Sequence, residues 1–133
     1  MPQSFNYAFK VQPSAPGIFV DSRNGAAVPS ETASPGQEVS LFITGEGLVT
    51  PALATGASPD PGTPPNELPK PQLPVTLTVA NIQAQIAFIG IVPGIAGTTQ
   101  INYIVPSNAP LGVQPVVVTV GDVASPAASI TLK

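Results

Sequence analysis

The spacing of proline constrains this chain more than any other feature of its sequence. The 133 residues include 18 prolines, and the longest stretch without one runs from residue 75 to residue 92. A proline in a helix interior costs about 3 kcal/mol, because its ring removes a hydrogen bond and collides with the preceding turn. Within the proline-free stretch, Val75, Leu77 and Val79 alternate with small or polar residues, which is the period of a strand. The sequence therefore predicts an all-β protein.

The same two-residue period recurs along the chain. After a turn near Asn81 the alternation continues from Ile82 to Phe88, which predicts a hairpin with Phe88 in the inward-facing row. Seven to eight short strands without helices form two antiparallel sheets packed face to face. We therefore expect residues 1–133 to fold as a single Ig-like antiparallel β-sandwich. The remaining apolar rows are Phe5 to Val11, Val39 to Ile43, Ile101 to Val105, Val116 to Val120, and Ile130 with Leu132.

The segment from Pro51 to Pro74 departs from this pattern. Eight of its 24 residues are proline, and each proline lacks the backbone donor that a sheet ladder needs. We expect a long Pro-rich loop over residues 51–74 in which no ladder forms. Two interpretations stay open: a semi-rigid polyproline II connection, or a functional loop. Pro61, Pro64 and Pro65 give only a weak match to a PxxP ligand.

We interpret residues 1–14 as a leading strand followed by a linker. The strand, Phe5 to Val11, is followed by a linker rich in proline, and we expect it to pair within its own domain. The alternative is pairing with the open sheet edge of a neighbouring subunit. Residues 1–4 have neither the basic nor the apolar region of a signal peptide. The apolar run from Ile86 to Gly97 is shorter than the roughly 20 residues of a spanning helix, so no membrane insertion is expected.

The composition excludes several kinds of chemistry. The chain has no His and no Cys, which rules out disulfides, Ser-His-Asp triads, thiolate nucleophiles and histidine zinc sites. Its net charge is −3 and its four Lys and Arg residues are scattered, so no nucleic-acid partner is expected. The carboxylates are spread one per turn or strand edge, a pattern typical of neither a glycosidase pair nor a calcium site. We predict no catalytic residues, metal or cofactor; the carboxylates are Asp21, Glu31, Glu38, Glu46, Asp60, Glu67 and Asp122.

Neither the aromatic residues nor the glycine-containing segments identify a binding residue. Most of the five Phe stand at positions expected to point inward, and Tyr7 and Tyr103 are expected in the core or at a sheet edge. A sugar platform is therefore the weaker interpretation of the aromatic residues. The glycines of Gly45-Glu46-Gly47 have the wrong spacing for a phosphate loop. The segment Pro93 to Gly97 is expected to be a turn, with Ile95 as a secondary contact point for a partner.

The chain contains several short sequence motifs. Each is weak evidence for a family when taken alone, but their order along the chain is more specific. The longest, Val39 to Gly47, ends in Thr44-Gly45-Glu46-Gly47. The others are Ala15 to Phe19, Gly25 to Val28, Pro35-Gly36, Val75 to Val79, Pro93-Gly94, Gly97, Gln100 to Asn102, Val105-Pro106 and Val116 to Gly121. Together they resemble the uncharacterised C-terminal domain family of Solibacter-type secreted bacterial proteins. This chain has Glu46 where that family usually has an apolar residue.

The resemblance implies an Ig-like module at the end of a long exported chain, and the family has no assigned catalytic residues. We therefore expect a non-catalytic structural or adhesion module of an exported or cell-surface bacterial protein. Its partners would be other domains of a parent chain or neighbouring subunits. Two alternatives stay open: a self-assembling structural subunit, such as a virion decoration protein or fibre component, and a glycan-binding module.

Overall fold

A computed structural model describes residues 16–45, 49–50, 70–71, 73–92 and 98–133, which form strands and turns and contain no helix. Six strands have five or more residues, and six have two. In chain order they are β1 (Gly17–Ile18), β2 (Thr32–Ala33), β3 (Glu38–Thr44), β4 (Val49–Thr50), β5 (Lys70–Pro71), β6 (Val75–Val79), β7 (Ile82–Gln83), β8 (Gln85–Ile91), β9 (Thr99–Ile104), β10 (Gly112–Val120), β11 (Val123–Ala124) and β12 (Ala128–Leu132).

The strands form two facing sheets with the immunoglobulin order. The four-stranded sheet runs β1-β3-β9-β8, and the six-stranded sheet runs β2-β12-β10-β6-β7 with β11 beside β10. In the immunoglobulin fold an A-B-E-D sheet packs on a sheet built from strands G, F and C. Here β3, β9 and β8 occupy the B, E and D places, and β12, β10 and β6 occupy the G, F and C places. The prediction of an Ig-like β-sandwich is confirmed.

The core lies between the sheets and is built from the alternating rows. Along β3 the side chains of Val39, Leu41 and Ile43 are buried, while the intervening residues face outward. Burial of apolar surface contributes about 25 cal/mol per Å², so these rows are the principal source of stability. The residues with no exposed surface include Leu77, Val79, Ile101, Tyr103, Val105, Val116, Val118, Val120 and Ile130.

The predicted hairpin around Asn81 is confirmed only from residue 75 to residue 83. Ala80 and Asn81 both have positive φ, 54° and 64°, as a two-residue type I′ turn requires. The chain then crosses at Ala84, and β8 pairs with β9 in the opposite sheet. A continuous alternating run therefore contributes to both sheets.

The predicted inward direction of Phe88 is wrong, because β8 contains a β-bulge. Ile86 pairs with Tyr103 and Phe88 pairs with Asn102, so Ala87 is the extra residue between them. The bulge shifts the alternation by one residue, as extra residues in a ladder do. Phe88 therefore lies on the outer face beside Asn102, and Ile89 turns inward to pack against the core.

The predicted absence of any ladder from Pro51 to Pro74 is also wrong in one place. Lys70 and Pro71 pair with Val49 and Thr50 as a separate two-stranded sheet. Such a pair tolerates proline, because a proline at a sheet edge can direct its missing donor away from the partner strand. Residues 51–69, like the leading segment 1–15, lie outside the described ranges.

Gly17 and Lys133 lie at opposite ends of the sandwich. Gly17 pairs with Thr44 at the end of β3, whereas the Lys133 N–H bonds to Ala33, just before β3 begins. At about 3.4 Å per residue, β3 separates the two ends by about 20 Å. A force applied at these two positions would therefore act along the strands.

Candidate functional site

The carboxylates that the structure describes do not converge. Glu38 begins β3, and Asp122 lies in the turn between β10 and β11. Asp21 lies in the turn before Gly25, and Glu31 directly precedes β2. No group of three Asp or Glu residues that could hold a metal occurs in the described ranges. Glu46, Asp60 and Glu67 lie outside those ranges. Among the described residues, the structure therefore brings together no cluster of carboxylates that could form a metal site.

Asp21 stabilises a turn. Its carboxylate accepts hydrogen bonds from the Arg23 backbone N–H at 2.9 Å and from the guanidinium at 3.1 and 2.7 Å. The hydrogen bonds from Arg23 lower the pKa of Asp21. Gly25 closes this turn with a φ of 72°. These contacts are local, and the Arg23 side chain is 85% exposed, so the ion pair shapes a loop and forms no reaction centre.

A crevice of about 200 Å³ lies on the outer face of the six-stranded sheet. Thr32, Thr131 and Val113 form one register row across it, and Glu31 and Asn24 lie beside them. The Asn24 carboxamide already accepts a hydrogen bond from the Ala26 N–H at 3.0 Å. The lining has hydroxyls and a carboxylate and no aromatic side chain, so it offers no platform for a ring.

Two buried polar atoms have no hydrogen-bond partner in the described part of the chain, the Tyr103 hydroxyl and Thr99 Oγ1. Both residues lie on β9, with no exposed side-chain surface. Burial raises the pKa of the Tyr103 hydroxyl. Tyr103 is a core residue, as predicted from its place in the alternating row, whereas Tyr7 lies outside the described ranges.

The outer face of the four-stranded sheet carries the clearest cluster of binding-type side chains. Phe42 pairs with Gln100, and Ser40 and Phe88 both pair with Asn102 from opposite sides. Partners in an antiparallel ladder share one face of the sheet, and the neighbours Leu41, Ile101 and Tyr103 point into the core. We define the phenylalanine–amide face as Phe19, Ser40, Phe42, Phe88, Gln100 and Asn102.

Hydrogen bonds fix the amides at the centre of this face. Asn102 Oδ1 accepts bonds from Ser40 Oγ at 2.7 Å and from Gln100 Nε2 at 2.9 Å. The Ser40 backbone N–H donates to Ser30 Oγ at 3.1 Å. These bonds leave the Asn102 NH₂ group as a donor and Gln100 Oε1 as an acceptor, with no partner among the described residues.

Three phenylalanines flank the amides. Phe19 donates its backbone N–H to the Phe42 carbonyl at 2.9 Å, so the two lie side by side at one border of the face. Phe88 stands at the other border, and the bulge at Ala87 sets its direction. Phe19 is 39% exposed, and Phe42 and Phe88 are partly buried. None of the three described phenylalanines belongs to the core, contrary to the expectation that most would point inward.

No protein-family model, curated protein or solved structure matches this chain. The resemblance to the secreted bacterial family therefore stays a prediction. Across the described ranges, no helix is long and apolar enough to span a bilayer.

Gly45, which has a φ of 70°, is the described residue of the Gly45-Glu46-Gly47 turn, and the Pro93 to Gly97 turn with Ile95 lies outside the described ranges.

The phenylalanine–amide face could not be predicted from the sequence, because its members come from three strands and from Phe19 after β1, which are distant in the chain. Ser40 and Asn102 are 62 residues apart. The available signal was the row of polar residues between apolar ones in β9, where Gln100 and Asn102 alternate with Ile101 and Tyr103. That row predicts an outward amide pair but does not show which side chains border it.

Proposed function

We propose that this protein is a non-catalytic structural module of an exported or cell-surface bacterial protein, and that it carries tension between its two ends. The proposal rests on the parallel pairing of β12 with the segment from Gly25 to Ala33. Its partners would be other domains of a parent chain or neighbouring subunits. The expected resemblance to exported bacterial modules and the low charged fraction, 8%, support the same role.

At least four backbone hydrogen bonds join the two segments. The Ala27 N–H donates to Ser129 at 2.8 Å, and the Ser129 N–H donates to Gly25 at 3.0 Å. Further along, the Thr131 N–H donates to Glu31 at 3.0 Å, and the Lys133 N–H donates to Ala33 at 3.1 Å. Because the segments run in the same direction, tension between the start of one and the end of the other loads these bonds together.

The antiparallel pair β10 and β12 responds differently to a force at its open end. Gly112 pairs with Leu132, so a force that separates residues 111 and 133 breaks the ladder one pair at a time. Bonds that break one at a time resist less force than bonds that must break together. The two pulling directions therefore provide a comparison within one folded protein.

The experiment is single-molecule force spectroscopy with cysteine handles, which are unique because the chain has no Cys. The variant Ser22→Cys with Lys133→Cys loads the parallel segments in shear. The control, Leu111→Cys with Lys133→Cys, peels β12 from β10. Ser22, Leu111 and Lys133 are all exposed, so the handles should not disturb the core. At one pulling speed we expect a clearly higher unfolding force for the first pair.

Equal unfolding forces in the two directions would contradict the mechanical role. Both variants should also show the thermal unfolding midpoint of the parent protein, which separates a mechanical difference from a loss of stability. Thr131→Pro removes the bond from the Thr131 N–H to Glu31. The shear force should therefore fall in this variant, whereas the force that peels β12 from β10 should change less, because that N–H does not bond to β10.

A further inference from the structure

We propose that the phenylalanine–amide face binds a neutral oligosaccharide. This inference goes beyond the mechanical role and does not depend on it. Pyranose rings have apolar C–H faces and an equatorial belt of hydroxyls that both donate and accept hydrogen bonds. A site for such a ligand needs flat apolar side chains next to a few fixed polar groups. Phe42 and Phe88, with the amides between them, supply that combination.

The hydrogen-bonding capacity of the face matches hydroxyl groups. The Asn102 NH₂ group offers donors and Gln100 Oε1 offers an acceptor, and each is free of any partner in the described chain. The bonds from Ser40 and Gln100 to Asn102 Oδ1 hold the Asn102 amide in one orientation before a ligand arrives. Preorganised polar groups lose less freedom on binding, which favours affinity.

The spacing of the aromatic side chains suits more than one sugar ring. Phe42 on β3 and Phe88 on β8 are separated by β9, and neighbouring strands lie about 4.8 Å apart. The two phenylalanines therefore stand about 10 Å apart across the sheet and about 7 Å apart along the strands, with Gln100 and Asn102 in the interval. Phe19 extends the aromatic border beyond Phe42. An extended oligosaccharide can contact both borders, whereas a monosaccharide reaches only one.

The charge of the face selects for a neutral ligand. No residue from 71 to 121 is charged, which includes β8 and β9. Among the described strands of this face, Glu38 is the charged residue, and it lies two register pairs beyond Ser40, opposite Ile104. None of the six residues of the face is a cation that could pair with a uronate or a sulfate. An acidic polysaccharide would therefore gain no ion pair from them and would approach a chain of net charge −3.

The bulge at Ala87 is an independent observation that favours a binding role. Bulges redirect side chains and are frequent beside functional sites. Here the extra residue brings an aromatic ring to the side of the sheet that carries Asn102. All members of the face are on paired strands or are hydrogen-bonded to them, which positions them more rigidly than loops would.

The test is affinity gel electrophoresis of the full chain in native gels that contain xyloglucan, laminarin or hydroxyethyl cellulose, with polygalacturonate as the acidic comparison. We expect retardation by at least one neutral polysaccharide and none by polygalacturonate. Phe88→Ala and Asn102→Asp should each weaken binding about tenfold, the effect of losing about 1.4 kcal/mol. Asn102→Asp keeps the acceptor for Ser40 and Gln100 but removes the NH₂ donor, so the network should survive.

Matched controls lie on the outer face of the other sheet. Gln83→Glu adds the same charge as Asn102→Asp on the exposed strand β7, and Val113→Ala shortens a side chain that is 70% exposed. Both should bind as the parent protein does. All variants should retain the parent melting temperature to within a few degrees.

Three outcomes would overturn the inference: no retardation by any of the three neutral polysaccharides, retardation by polygalacturonate alone, or unchanged binding by Phe88→Ala and Asn102→Asp. Self-association that Phe88→Ala abolishes, measured by sedimentation, would assign the face to a second copy of the chain and would also overturn it. The force measurements would be unaffected by any of these results.

Discussion

Phe88 lies directly opposite Asn102 across the β8–β9 ladder, on the face of the sheet that points away from the core. Two residues earlier, Ile86 lies opposite the buried Tyr103, so the two side chains that flank Ala87 point to opposite sides of the sheet. Because Ala87 is inserted between them, Ile86 faces the interior and Phe88 faces the surface.

Deletion of Ala87 should be tolerated, because it removes the extra residue and leaves Ile86, Phe88 and Ile89 on their present sides. We expect a change in unfolding free energy within about 1 kcal/mol, measured by urea denaturation. Deletion of Thr78, in the regular ladder of β6, is the control. It must move either Leu77 or Val79 out of the core and should cost at least about 2 to 3 kcal/mol. Equal effects of the two deletions would contradict the assigned register.

Ser125→Ala should destabilise the fold by about 1 to 3 kcal/mol. Ser125 is buried, and its Oγ accepts the Val118 backbone N–H at 3.1 Å while its own N–H donates to the Val118 carbonyl at 2.8 Å. Without the hydroxyl, the Val118 N–H remains buried and unpaired, which carries the full desolvation penalty. Ser107→Ala, in an exposed turn, should change stability by less than about 0.5 kcal/mol. Thermal and urea unfolding would measure both, and a neutral Ser125→Ala would show that the bond is dispensable.

Gly121→Ala should cost more stability than Gly36→Ala. Both glycines have positive φ, 62° and 87°, so both substitutions bring the backbone cost of a left-handed alanine, about 1 kcal/mol. A Cβ at Gly121 would also stand 3.3 Å from Leu73 Cδ1, whereas a Cβ at Gly36 meets nothing within 4 Å. Shortening Leu73 to alanine in the Gly121→Ala background should recover the steric part. Identical losses at the two glycines would argue against close packing of Leu73 on this turn.

The stability of the protein should fall at alkaline pH through Tyr103. Burial raises its pKa above the usual value of 10.0, because the ionised phenolate is disfavoured in the core. The unfolded chain therefore releases the proton first, and stability is lost as the pH rises above about 10. Tyr103→Phe should abolish most of this loss. It should leave neutral-pH stability unchanged or raise it by about 1 kcal/mol, since the buried hydroxyl has no partner among described residues. An alkaline transition that persists in Tyr103→Phe would contradict this assignment.

The sequence predicted the parts of the fold that repeat with a strict period of two. In β3 and β9 the alternation placed Leu41, Ile43, Ile101 and Tyr103 correctly in the core. The alternation gave the wrong inward residue in β8. Ile86, Phe88, Ile89 and Ile91 are all apolar there, so the local sequence does not decide which of them face the core. The phase is decided by pairing with β9, which is a tertiary interaction.

Two other features had no local signal. The crossover at Ala84 occurs inside an unbroken alternating run, because both sheets need the same pattern. The segment that pairs in parallel with β12, Gly25 to Ala33, contains small residues and Pro29 and has no apolar period at all. Its place is fixed by backbone hydrogen bonds to Ser129, Thr131 and Lys133, and the side chains that it buries are the small ones of Ala26, Ala27 and Ala33.

The brevity of β1, β2 and β7, each with two residues at a described sheet border, bears on how these molecules behave when crowded. A very short edge strand presents little unpaired backbone with which another chain could pair. β8, the one long border strand in the described part, is broken by its bulge at Ala87. The described strands therefore leave little edge backbone for association between molecules at high concentration, although few charges would repel them.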